Sequence, residues 1–227
     1  MAIIFPRRQV RRLPYLFSVA PAGYRCDMPA KLTPPSIEGF PPTHALLDLA
    51  WREYLAALEN LFTQQPYLLG DQFTLADASV YGQLYMNMSD PSAANSIKKL
   101  APATYQWLIN INQGKHINSH GALFLSPHLS PLLAIIDKTF IALMKQNAQA
   151  FSEAKKHGDT QFNEKAFDNR VNIYSGRILG LSFKSVAKSF QAQVWQSLQS
   201  QWSCLSEAQA EEMHKKTNYD ISQLFLD

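Results

Sequence analysis

The sequence has few of the residues from which common catalytic and metal motifs are built. Its 227 residues include two cysteines, Cys26 and Cys204, so neither a disulfide framework nor a cysteine-rich metal set is expected. The nine glycines are dispersed, and none belongs to a phosphate-binding loop. Nucleophile-elbow, zinc-protease and Cys-x-x-Cys patterns are absent as well. The low cysteine content favours a reducing compartment, which we take to be the cytoplasm.

Long hydrophobic runs and a broad charged surface are missing too. No stretch of about 18 consecutive apolar residues occurs, which predicts no membrane span. The net charge is only +3, and the basic excess lies within the first 35 residues. The rest of the chain is close to neutral, which argues against a nucleic-acid surface.

Residues 1–42 contain eight of the thirteen prolines. Proline at this density favours extended and turn conformations, so this stretch is interpreted as a connecting segment. Two alternatives stay open: an organelle transit peptide, and an anion contact made by Arg11 or Arg12. Pro6 and Pro14 interrupt any amphipathic presequence helix.

The strongest local pattern is PYLLGDQFTLADASVYGQL, residues 66–84. Thr74 is a good N-cap, and Asp77 three residues later completes a capping box while meeting the positive end of the helix dipole. Small side chains follow, which predicts a helix that runs close to its neighbours and is buried on most sides: Ala78, Ser79 and Gly82.

Helices are predicted on both sides of this pattern. Residues 43–64 have a cap at Thr43 and an apolar stripe formed by Leu47, Trp51, Tyr54, Leu58, Leu61 and Phe62. Asp90-Pro91 starts a helix that ends near Leu100, and Pro102 starts the next one, which Gly114 follows.

The C-terminal half predicts more helices with one ambiguous stretch. Residues 115–129 are loop-like and contain His116, His120 and His128; the first two have metal-pair spacing, but exposed loop histidines are the alternative. Helices are predicted from Ser130-Pro131 to Gly158, from Asn163, from Ser182 and from Ser206. Between them IYSGRILGLSF is either a strand pair or a plain loop.

The stretch from Thr43 to Ile111 resembles the C-terminal domain of glutathione S-transferases. The resemblance rests on PYLLGDQFTLADASVYGQL and on DPSAANSIKKLAPATYQWLINI after it. It implies an all-α fold in which Thr74 and Asp77 form a structural capping box. The implied organisation is a basic connecting segment at 1–42, a helical core at 43–114 and a helical extension at 115–227.

In that family a thioredoxin-like domain binds glutathione and activates its thiol. Residues 1–42 are too short and too rich in proline to form that domain, so the resemblance implies glutathione as a co-substrate only when such a domain is supplied. No catalytic residue, metal site or cofactor is assigned. A lone Cys26 beside Arg25 is the one thiol considered.

The resemblance also implies a hydrophobic co-substrate wall and a dimer surface. By position, the wall would come from Tyr15, Phe17 and Tyr24, with Arg11 or Arg12 near an anionic group. The expected partners are a second copy of the chain or a thioredoxin-like domain. Three functions are therefore open: a glutathione S-transferase-like half-enzyme, a metaxin-like interaction module without catalysis, and a small-molecule binding domain.

Overall fold

The computed structural model describes residues 44–162 and 171–225, and they are mostly helical, as predicted. The helices in chain order are α1 (His44–Phe62), α2 (Leu75–Tyr85), α3 (Pro91–Leu100), α4 (Pro102–Asn112), α5 (Ser130–Ile136), α6 (Ala142–Lys156), α7 (Ser189–Ser203), α8 (Glu207–Thr217) and α9 (Ser222–Phe225). Short 3-10 turns lie at Met86–Ser89 and Pro127–Leu129, and a π-helical segment lies at Asp137–Ile141.

The ambiguous stretch is a β-hairpin rather than a loop. Strands β1 (Ile173–Ile178) and β2 (Leu181–Val186) pair antiparallel, with Ile178 opposite Leu181. The two residues between them, Leu179 and Gly180, both have positive φ, 50° and 77°. That geometry belongs to the tight hairpin turns that favour Asn or Gly. A leucine at the first turn position therefore gives no sequence signal for the turn.

The described chain divides into two compact units, and each has its own apolar core. The first, which we call the helical unit, comprises residues 50–140 and 199–225. Its most buried side chains include three leucines of α1 and one residue each from α3 and α4: Leu55, Leu58, Leu61, Ile97 and Leu108. The predicted boundaries at 42 and 114 remain a prediction.

The second, the hairpin unit, comprises residues 44–49, 141–162 and 171–198. Helix α6 packs on strand β1. The core of this unit is formed by Met144 of α6, Phe183 and Val186 of β2, and Ala192 and Trp195 of α7.

Two helix predictions need correction. The helix expected from Ser182 begins at Ser189, because residues 181–186 are used as strand β2. The stripe of α1 is partly wrong, since Leu47 is exposed and Leu55 is buried. The predicted caps at Thr43 and Asn163 lie outside the described residues.

One helical run in the described chain, Pro127–Lys156, has the length and composition needed to cross a membrane. Core helices of soluble proteins have the same composition, so a single run of this kind is weak evidence for a span. The absence of a membrane span therefore stays a prediction.

Candidate functional site

The candidate site is built on a buried carboxylate at the start of α2. Asp77 has no exposed surface, and its two oxygens accept three hydrogen bonds. Oδ1 accepts from the Leu68 amide at 2.8 Å. Oδ2 accepts from the Thr74 amide at 2.9 Å and from the Thr74 hydroxyl at 2.7 Å. One side chain thus joins the helix start to the turn before it, and an acceptor-only group suits this cluster of donors.

A second segment is fastened to that turn by backbone pairing. The Asp71 amide donates to the Ala122 carbonyl, and the Phe124 amide donates to the Leu69 carbonyl, both at 3.0 Å. The Phe73 amide donates to Ser119 Oγ at 3.1 Å. Residues 119–124 therefore lie alongside residues 69–73, and we call these two stretches together the paired loop.

Two glycines make this close approach possible. Gly70 has φ +107°, and a Cβ atom there would lie 2.6 Å from the Ala122 carbonyl oxygen. Gly121 has φ +146°, and its Cβ would overlap the side chain of Asp71. Both positions combine a left-handed backbone with no space for a side chain, so only glycine fits.

Large apolar side chains are exposed around the paired loop. Leu75, the first residue of α2, is 84% exposed, and Ile117 is 73% exposed. Leu123, within the loop, is also exposed. Isolated apolar residues are common on protein surfaces, whereas a contiguous exposed group of them is typical of a contact surface.

The helix α2 has an open face, which corrects a prediction. Only Asp77 and Leu84 of this helix are buried, and a Cβ added to Gly82 would meet nothing within 4 Å. Leu75, Ser79 and Gly82 are exposed and repeat at helical spacing, with Met86 just beyond. The small residues therefore form an uncovered surface, which we call the open face of α2, and not the expected contact with neighbouring helices.

An aromatic row runs from the core of the helical unit towards its surface. The ring centroids of Phe62 and Trp107 are stacked 4.4 Å apart, and those of Tyr81 and Tyr85 are 4.9 Å apart. Partial burial and then the neighbouring Tyr85 raise the pKa of Tyr81. Trp107 is 5% exposed, and among the described residues its Nε1 has no hydrogen-bond partner.

Sequence reasoning missed one cap, which comes from a distant helix. Glu59 of α1 accepts from the amides of Ala103 and Thr104, both at 3.0 Å, and so caps the start of α4. A signal was present, because Ala101 stands at the N-cap of α4 and has no side-chain acceptor.

The C-terminal residues contribute to the same unit. The Tyr219 hydroxyl donates to Asp137 Oδ2 at 2.9 Å. Burial, together with this hydrogen bond and the charge of Asp137, raises the pKa of Tyr219 to about 12. The partner of Tyr219 lies in the π-helical segment, so this contact ties residues 199–225 to that segment.

The two histidines with metal-pair spacing, His116 and His120, lie in different environments. The His116 ring packs on Phe73 at 4.4 Å between centroids, while His120 is exposed. Within residues 44–162 and 171–225, no group of three His, Cys, Asp or Glu side chains could hold a metal ion.

The residues predicted to form a co-substrate wall cannot be compared with this surface. Tyr15, Phe17, Tyr24, Arg11 and Arg12 lie outside the described residues. Cys26 lies outside them as well. Cys204 is described, is exposed, and lies with its Sγ 3.3 Å from the Ser200 carbonyl.

Comparison with known proteins gives a match to a protein-family model. Residues 41–86 match the family model described as Glutathione S-transferase, C-terminal domain. The match covers the turn, the capped helix start and the open face of α2. No curated protein and no solved structure matches the chain.

Proposed function

Because residues 41–86 match the glutathione S-transferase C-terminal domain family, we propose that this chain is the helical part of a glutathione S-transferase-like protein of the cytoplasm. In this role it supplies an apolar wall for the co-substrate and a surface for a second subunit. Conjugation of glutathione then requires a thioredoxin-like domain, which binds the peptide and activates its thiol. Thr74 and Asp77 act as structural capping residues in this proposal and take no part in chemistry.

The observation that carries the proposal is the open face of α2. It lies inside the matched segment. Leu75 at one end and Met86 at the other, which is 65% exposed, are open to solvent on either side of small residues. A surface with an apolar side chain at each end and small residues between them favours contact with an apolar group, either a co-substrate or a protein element. The carboxylate of Asp77 keeps the helix start in place without using that face.

Two titrations of the whole chain test the proposal. With reduced glutathione in a calorimeter, we expect no binding until a thioredoxin-like domain is added; binding by the chain alone would contradict the division of labour. With the dye 8-anilinonaphthalene-1-sulfonate, we expect fluorescence enhancement that decreases in Leu75→Glu and Met86→Glu. The control is Gln83→Glu, an exposed change on the same helix. Equal enhancement in all variants would exclude the open face as the apolar wall.

A second candidate, a metaxin-like interaction module without catalysis, is favoured by the exposed apolar residues of the paired loop. Ile117 and Leu123 lie outside the matched segment but next to it in the helical unit. Sedimentation equilibrium separates the two candidates. Self-association that Leu123→Glu abolishes, with no dye binding at α2, would favour the module. A monomer that binds the dye would favour the half-enzyme.

A further inference from the structure

The two outer edges of the β-hairpin differ, because on the edge of β1 the backbone groups of Arg177 already have a partner. The Arg177 amide donates to Gln146 Oε1 at 2.8 Å, and the Arg177 carbonyl accepts from Gln146 Nε2 at 3.0 Å. A carboxamide has a donor and an acceptor side by side, as a neighbouring strand does. At Arg177, Gln146 of α6 therefore occupies the place that a residue of a third strand would take.

The same contact fixes which backbone groups of β2 point outward. Since Arg177 bonds away from β2, its partner Ser182 bonds away from β1, and so does Lys184 two residues later. The backbone groups that point towards the other strand follow the same alternation, because the Ala187 amide donates to the Asn172 carbonyl at 2.8 Å. Within the described part of the chain, the outward groups of Ser182 and Lys184 meet no hydrogen-bond partner. Such an edge is a template for strand addition.

The charge of the hairpin indicates what it would accept. Residues 171–188 contain Arg177, Lys184 and Lys188 and no acidic residue. Arg177 stands opposite Ser182, so its side chain is on the same face of the sheet as Lys184. A lysine on an edge strand also disfavours pairing of that edge with a copy of itself.

We propose that the outer edge of β2 binds an extended acidic segment of a partner protein, which adds a third strand to the hairpin. The backbone of the segment pairs with Ser182 and Lys184. The residue facing Lys184 forms a hydrogen-bonded pair with it, at about 5.5 Å between Cα atoms. A glutamate or aspartate at that position forms a cross-strand ion pair with Lys184, and acidic residues at every second position from it lie on the same basic face.

The test uses the full chain and a capped peptide of about eight residues that alternates valine and glutamate. We expect saturable binding in a calorimeter, with slower hydrogen exchange at the amides of Ser182 and Lys184. The matched peptide with lysine in place of glutamate should bind about tenfold more weakly. A glutamate peptide with N-methyl groups on the pairing side should not bind, because its backbone donors are removed.

Two variants locate the binding. Ser182→Pro removes an outward donor and leaves the bonds to β1, and it should weaken binding about tenfold; the control is Ser175→Pro on the edge of β1. Lys184→Glu tests the charge without a backbone change, and Lys155→Glu at the end of α6 changes the net charge equally. Circular dichroism of each variant establishes that it folds.

Four results would overturn the proposal. In the first, the lysine peptide binds as tightly as the glutamate peptide. In the second, Lys184→Glu binds the glutamate peptide as tightly as the parent chain does. In the third, the N-methylated peptide binds. The fourth is protection of the Ser182 and Lys184 amides without any peptide. If Ser182→Pro dissociates a dimer and removes the protection of the Lys184 amide, the occupant is a second copy. If protection persists in the monomer, the occupant is another part of the same chain.

Discussion

Two helix starts in the helical unit and two positions in the hairpin unit have their unpaired backbone groups satisfied by different kinds of side chain. At two helix starts of the helical unit the side chains are carboxylates: Asp77 accepts from Leu68 and Thr74 at α2, and Glu59 caps α4. In the hairpin unit the side chains are carboxamides. Gln146 bonds the backbone N–H and carbonyl of Arg177, and Asn147 bonds the backbone N–H and carbonyl of Lys188, at 2.8 and 2.9 Å.

The difference follows from which backbone groups each side chain meets. A helix start leaves N–H donors only, and an ionised carboxylate accepts from several of them while complementing the helix dipole. Arg177 on a strand edge and Lys188 just before α7 each present an N–H donor and a carbonyl acceptor to the facing side chain, and a carboxylate would repel the carbonyl. Exchanging acid and amide at these positions therefore tests the comparison directly.

The largest effect is expected for Asp77→Asn. The amide nitrogen would face a backbone N–H, so one or more buried donors lose their partner, at a cost of about 3 kcal/mol in the free energy of unfolding. Urea denaturation measures it. Asp71→Asn, in the same turn but half-exposed, should cost clearly less. Equal losses would mean that burial of the donors does not matter.

The converse exchange is Asn147→Asp, at a fully buried side chain. The new carboxylate would face the Lys188 carbonyl in place of a donor, and we expect a loss of about 2 kcal/mol in unfolding free energy, again from urea denaturation. Gln149→Glu, at an exposed position of α6, adds the same charge to that helix and serves as control. If both variants were equally stable, the carboxamide would not be needed at the start of α7.

A smaller loss is expected for Glu59→Gln, about 1 kcal/mol, because one acceptor remains for the start of α4 and the interaction with its dipole is lost. Glu53→Gln, an exposed change on the same helix, is the control. Thermal unfolding of both variants gives the comparison. Equal thermal stability of the two variants would show that Glu59 does not stabilise the start of α4.

The smallest effect has the opposite sign. Gly82→Ala fills open space on α2 and should stabilise the protein by about 0.5–1 kcal/mol in the same thermal unfolding measurement, since alanine loses less backbone freedom in a helix. A destabilised variant would show that the open face of α2 is covered in solution. That outcome would restore the sequence-based prediction of a closely packed helix.

Local patterns were the part of this fold that sequence reasoning could predict. Thr74 and Asp77 are three residues apart, and helical geometry brings them together. The bond from Leu68 to Asp77 spans nine residues, and the bond from Thr104 to Glu59 spans forty-five. No periodicity encodes such contacts, although Ala101 at a helix start signals that a cap must come from elsewhere.

Exposure was harder to predict than secondary structure. Small residues on α2 fit both a crowded interface and an open surface, and only coordinates distinguish the two. The hairpin stayed ambiguous because Leu179 adopts a positive φ that leucine rarely takes. The family resemblance concerned residues 43–111, so it gave no information about either the hairpin or its edges.

The pairing of Gly70 with its partner segment has a consequence for the order of events during folding. The contact between Asp71 and Ala122 joins residues 51 positions apart, whereas the capped start of α2 closes within a single turn. Closing a long chain segment costs entropy before any bond repays it. We therefore expect the helix start to form early, and the paired loop to form only after α3 and α4 have brought the chain back to it.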